Sequence, residues 1–192
     1  MFSMKSILTW RNRAINKPLV AACCALWLFS GCSSVVVDAT KGQTYYTQFS
    51  LFYEGGIYKT VNYRIGTLLP INTPVVFLDS NDAVIRVKLP DGANLRLLNI
   101  AKFSRDTLPD EFTRTLGREP VDLAKFSPKE RENILEGSVQ VGMSKEAVIK
   151  AMGYPPAFRT PSLDMNQWRY WKNRYGTLLV FFVDGKVSNI KR

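Results

Sequence analysis

Histidine is absent from all 192 residues. Its absence excludes Ser-His and Cys-His catalytic pairs and imidazole metal ligation together. Cysteine is scarce: Cys23 and Cys24 sit in a short apolar segment, and Cys32 is the only other thiol. No disulfide is therefore expected downstream of it, and core burial must stabilise the fold alone. Neither GxGxxG nor GxxxxGK[ST] occurs, so the usual phosphate cradles are missing. Asp110-Glu111 and Glu130-Glu132 offer carboxylate pairs of the kind glycosidases use. Both pairs lie in polar helical stretches, where solvated surface is the simpler reading. The chain reads as a non-enzyme with neither metal nor dissociable cofactor. A long apolar run is also missing: Pro18 to Ser30 is too short to span a hydrocarbon core, which needs ~20 residues.

What is present begins with charge. Lys5, Arg11, Arg13 and Lys17, with no acid among them, precede that apolar run as the n-region of an export signal does. The run ends in Leu28-Phe29-Ser30-Gly31-Cys32, which resembles the lipobox of bacterial lipoproteins. The resemblance implies cleavage between Gly31 and Cys32, with a diacylglycerol thioether and an N-acyl chain on Cys32. Such chains anchor stably, since each buried methylene contributes ~0.8 kcal/mol. Ser33 after the anchor implies passage to the outer membrane, on its periplasmic face. The whole chain carries 26 Lys and Arg against 16 Asp and Glu, net +10; the part from Cys32 onward keeps +6. That balance suits an anionic partner such as lipid headgroups. An exported chain without a long basic run excludes nucleic acid.

The expected organisation is a signal segment (1–31), a lipidated tether (32–44), a β domain (45–103), a connector (104–124) and an αβ domain (125–192). Strands are expected over Tyr45–Tyr53, Ile57–Ile65, Thr73–Leu78, Val84–Leu89 and Ala93–Ile100, punctuated by Gly55-Gly56, Gly66 and Pro90-Asp91-Gly92. Ile85, Val87 and Leu89 should share a buried face, with Arg86 and Lys88 opposite. Such closely spaced short strands resemble a small bacterial SH3-like barrel. Tyr45, Tyr46, Tyr53, Tyr58 and Tyr63 are either its core or the lining of a peptide groove. A short helix follows over Leu108–Leu116. Ser127-Pro128-Lys129-Glu130 forms a capping box for a helix running to Glu136.

The last third carries the most specific pattern. Ser144 caps a helix ended by Gly153 and Pro155, and strands follow at Gln167–Lys172, Thr177–Val183 and Lys186–Ile190. Gly142, Met143, Ser144, Lys145, Val148, Met152, Gly153, Pro155, Trp168 and Asp184-Gly185-Lys186-Val187 resemble the SmpA/OmlA (BamE) lipoprotein family. That resemblance implies an ααβββ unit with a three-stranded antiparallel sheet over 125–192, so that the whole reads as α+β, the small SH3-like β-barrel leading into it. It also implies a role in outer-membrane protein assembly or envelope integrity, with envelope proteins as partners, the β-barrel assembly machine among them. A wall- or peptide-binding role through the SH3-like part and inhibition of a periplasmic hydrolase remain open alternatives. Peptidoglycan and anionic lipid stay on the same footing as ligands.

Two sets of candidate residues follow. Trp168, Arg169, Tyr170, Trp171, Phe181 and Phe182 are hot-spot types for a protein partner. Arg169, Lys172, Arg174, Lys186, Lys191 and Arg192 form a basic set suited to anionic lipid. Leu178 to Val183 is apolar on both strand faces, so both should be covered. One face should meet the Ser144 helix, the other the SH3-like part or an external partner.

Overall fold

Period-two alternation builds most of the first half. The computed structural model describes residues 37–192, so the signal segment, the Gly31–Cys32 cleavage point and the Cys32 lipidation site lie outside the described residues. Seven strands come first: β1 (Thr44–Thr47), β2 (Leu51–Tyr53), β3 (Ile57–Lys59), β4 (Thr67–Leu69), β5 (Pro74–Ser80), β6 (Val84–Lys88) and β7 (Asn94–Leu98). Helices α1 (Ala101–Ser104) and α2 (Leu108–Thr115) and the two-residue β8 (Leu116–Gly117) follow. A curled half-barrel sheet has the order β3-β7-β6-β5-β1-β8, while β2 and β4 pair separately. Ile85, Val87 and Leu89 are buried as their alternation requires, with Val75, Leu95, Leu97 and the α2 residues Leu108 and Phe112. Phe112 stands edge-on to both Tyr45 and Phe77, with ring centroids 5.2 and 6.0 Å away.

Two expected strands break where the first half reaches toward the second. Tyr45–Tyr53 divides into β1 and β2 because Ser50 turns away from the sheet: its N–H donates to Lys150 O (2.9 Å) and its hydroxyl to Ile134 O (2.6 Å). Ile57–Ile65 stops at Lys59. Asn62 adopts a left-handed conformation (φ 57°) and donates from its side chain to Met152 O (2.6 Å) and Tyr154 O (3.2 Å). The parallel pairing of β3 with β7 was not expected from the sequence.

The C-terminal part contains α3 (Pro128–Glu136), α4 (Lys145–Met152), β9 (Gln167–Trp171), β10 (Thr177–Val183) and β11 (Lys186–Lys191). The three strands form an antiparallel sheet in the order β11-β10-β9. The expected capping box at Ser127 and Glu130 is present, and Ser144 caps α4 by accepting from the Ala147 N–H. Val148, Ala151 and Met152 pack on Trp168, Tyr170, Leu178, Val180, Phe182 and Val187 in a second core. Mixed α+β architecture, with strands predominating, is thus as expected.

Helices α3 and α4 lie side by side and run in the same direction. Glu130 joins their starts: one carboxylate oxygen accepts from the N–H and hydroxyl of Ser127, the other from those of Ser144. Arg64, from the first half, joins their ends. Its guanidinium donates to Gly137 O beyond α3 and to Met152 O at the end of α4 (3.2 Å), and it stacks on Phe52 at 4.4 Å. Parallel helix dipoles repel one another side by side. An anion at the paired N-termini and a cation at the paired C-termini offset this. Burial pushes the Arg64 pKa down to about 10, against the pull of Tyr170 and Tyr58, and leaves it a full cation at neutral pH. Burial also raises the Glu130 carboxyl, but its four hydrogen bonds outweigh that and hold it below its ordinary value. The described residues therefore make one compact unit with two cores, locked together at Arg64, Asn62 and Ser50.

Candidate binding surface

Strand alternation splits the predicted partner-binding set in two. Trp168 and Tyr170 project from β9, and Phe182 from β10, into the second core beneath α4, where all three are buried. The Tyr170 hydroxyl donates to Gly153 O (3.0 Å), and burial raises its pKa above the ordinary tyrosine range. These three residues are core, which corrects their assignment to a partner surface. Arg169, Trp171 and Phe181 point the other way and remain partly accessible. Leu178, Val180 and Phe182 meet the helices, whereas Leu179 and Phe181 are half-buried and Val183 is 59% exposed. Among the described residues the outer face of this sheet is therefore left open by the first half, and of the two expected covers only an external partner remains.

Cross-strand register fixes what that face presents. Arg169 and Lys191 flank Leu179, Gln167 and Asn189 flank Phe181, and Lys186 lies beside Val183. The Lys191 ammonium lies 5.4 Å over the Phe181 ring. At the β9 end, Trp171 stacks on Phe158 (5.1 Å, 27°), which in turn packs on Phe103 of α1 (4.9 Å). Phe103 and Phe158 gave no distinguishing signal in the sequence, whereas Leu179 belongs to the apolar run already noted.

The basic set is also divided. Lys172 and Arg174 occupy the β9–β10 loop, and Lys191 and Arg192 end the chain beside it. Tyr175 at this loop is 88% exposed, with Arg174 5.7 Å from its ring. Lys186 lies about 17 Å away by strand length, at the opposite end of β11. There it borders an open cleft of about 470 Å³ with Lys125, Glu130, Ser144 and Glu146, at the far end of the strand from Lys191.

Elsewhere the chemistry is sparse. Tyr45 and Tyr58 are buried core, leaving Tyr46, Tyr53 and Tyr63 partly exposed and no five-tyrosine groove. Among the described residues no cluster of histidine, cysteine or acidic side chains has the makings of a metal site, and no helix is long and apolar enough to cross a membrane. Glu111 is buried in α2, where burial pushes its pKa up to about 7 although the Thr115 hydroxyl donates to it (2.8 Å). Its candidate partner Asp110 is instead spent on the α2 capping box. Glu130 is engaged at the two helix starts, while Glu132 of the same pair is exposed. Comparison with protein-family models, with curated proteins and with solved structures finds no match.

Proposed function

We propose that this chain is a lipid-anchored protein of the outer membrane, facing the periplasm, that acts by binding other proteins in outer-membrane assembly or envelope integrity. The observation that carries the reading is the open sheet face: apolar residues on a sheet without a covering layer mark a contact site. Supporting it are the lipobox-like sequence at Cys32 and the BamE-like order of two helices and three strands after Lys125. In this reading the first half is an SH3-like β module whose added task is to hold the helices through Arg64. Catalysis has no part in this reading: Asp110 and Glu130 serve helix caps and Glu111 is buried. Cys32→Ser in the full chain should abolish labelled palmitate uptake, and crosslinking of native membranes should recover outer-membrane assembly proteins. Recovery of peptidoglycan alone or of a single hydrolase would replace this reading with one of its alternatives.

A second reading concerns lipid. The exposed Tyr175 with Lys172, Arg174, Lys191 and Arg192 is suited to a membrane interface, where aromatic and basic side chains favour anionic headgroups. A soluble form lacking the acylated cysteine should bind phosphatidylglycerol vesicles at low salt and leave them at high salt. Salt-independent binding removes the electrostatic argument.

A further inference from the structure

We infer that the outer face of β9, β10 and β11 docks an acidic amphipathic helix of a partner protein, laid along β10. The inference rests on the protein-binding reading above and adds the location and chemistry of the contact. Thr177, Leu179, Phe181 and Val183 form a single row down the middle of the face. Arg169, Gln167, Asn189, Lys191 and Lys186 line its two sides, and none of the three strands contains an acidic residue. A ligand matching this face is apolar along its centre and negative along its flanks.

The sheet edges are closed, which directs a partner to the face. Val187 at the β11 edge exchanges both backbone hydrogen bonds with Gly142 and Met143, and the Asn189 side chain accepts from the Ile190 N–H (2.8 Å). On the β9 edge, the Thr160 hydroxyl accepts from the Arg169 N–H (3.0 Å), and Trp171 bridges to Tyr63. A further strand thus finds little free backbone to pair with. A helix is the other element that covers an open sheet face. The seven residues of β10 extend about 23 Å, which a helix of about 15 residues matches. Its apolar residues at helical spacing would cover Leu179 and Phe181, and flanking Asp or Glu would meet Arg169 and Lys191. Burial of the rings supplies affinity, while the paired charges select the partner and its orientation. A second copy of this chain would set cation against cation. A bilayer would be met by the protruding Tyr175 loop rather than by this half-buried row.

The test places the photoreactive residue p-benzoylphenylalanine at position 181 or 183 of the full-length chain in the bacterium that makes it, with positions 141 and 175 as comparisons. Crosslinked peptides are then sequenced. The expected adduct at 181 and 183 is a protein segment with apolar residues every three to four positions and Asp or Glu beside them. Arg169→Glu together with Lys191→Glu should lower its yield at least fivefold, with thermal midpoint and palmitate uptake unchanged. Adducts at 181 and 183 only with lipid, with a second copy, or with segments lacking that pattern overturn the inference. So does an unchanged yield after charge reversal. Protein adducts at 141 or 175 but none at 181 or 183 overturn this surface alone. No protein adduct at any of the four positions overturns the protein-binding reading as well.

Discussion

Replacing Arg64 with methionine keeps an unbranched stem over Phe52 and removes five donors at once. Two hydrogen bonds are central, to Gly137 O and to Met152 O (3.2 Å); those to Ala151 O (3.4 Å) and Ser50 O (3.5 Å) are too long to add much. Hydrogen bonds to a charged donor contribute about 1.5–3 kcal/mol each. Arg64 is only partly buried, so the lower end applies, and Asn62 continues to donate to Met152 O (2.6 Å). Loss of the cation at two helix C-termini and over the Phe52 ring adds about 1 kcal/mol, and the bond that Asn62 keeps to Met152 O offsets part of the loss, giving a total of about 3–4 kcal/mol. For a chain of this length that lowers the thermal midpoint by roughly 6–15 °C. Calorimetric unfolding of the purified protein at pH 7 measures it directly. Arg64→Lys restores charge but not the fork that spans two helix ends, so it should recover less than half of the loss. Unfolding of Arg64→Met within about 1 kcal/mol of wild type refutes the clamp.

Glu111→Gln tests the buried carboxyl, which Tyr58, Asp106 and Arg114 also face. Its folded pKa of about 7 exceeds the ordinary value of 4.5, so its stabilising contribution is complete below pH 4.5 and is lost as pH rises through 7. That loss amounts to about 3 kcal/mol. The variant should flatten this slope and be the more stable form at pH 8; a parallel pH profile counts against the assignment. Ser50→Ala leaves the buried Ile71 N–H and Ile134 O without their hydroxyl partner, and urea unfolding should register a loss of about 2 kcal/mol. A fragment beginning at Lys125 lacks Arg64, Asn62 and Ser50, and should show no cooperative thermal transition at 25 °C or above. A sharp transition in that fragment would mean that the last third folds without its clamp.

Local rules wrote themselves plainly into the sequence. Ser127-Pro128 with Glu130, Ser144 with Gly153, and Asp184-Gly185 each specify a cap or turn within a few residues, and the structure has them in those places. Strand β10 has the bounds its apolar run suggested. Trp168-Arg169-Tyr170-Trp171 shows why the surface was harder to read. Alternation assigns Trp168 and Tyr170 to one face and Arg169 and Trp171 to the other, but only the position of α4 decides which face is core. Arg64 was illegible for a different reason. Nothing adjacent to it marks it, and its partners lie in helices that the sequence places elsewhere. The same distance effect cut the expected strand at Ile57–Ile65, because the backbone of Asn62 obeys a contact with Met152 and Tyr154.

The carbonyls capped by Arg64 lie 73 to 88 residues further along the chain. Synthesis and export both proceed from the N-terminus, so the strands of the half-barrel emerge before α3 and α4. At 9 and 8 residues these helices are too short to persist alone in water. They form where the waiting guanidinium and the Ser50 hydroxyl receive them, which makes the first half a template for the last third. Until that docking, the six consecutive apolar residues Leu178–Val183 have no helix above them, and this is the interval in which a chaperone would find the nascent chain most adhesive.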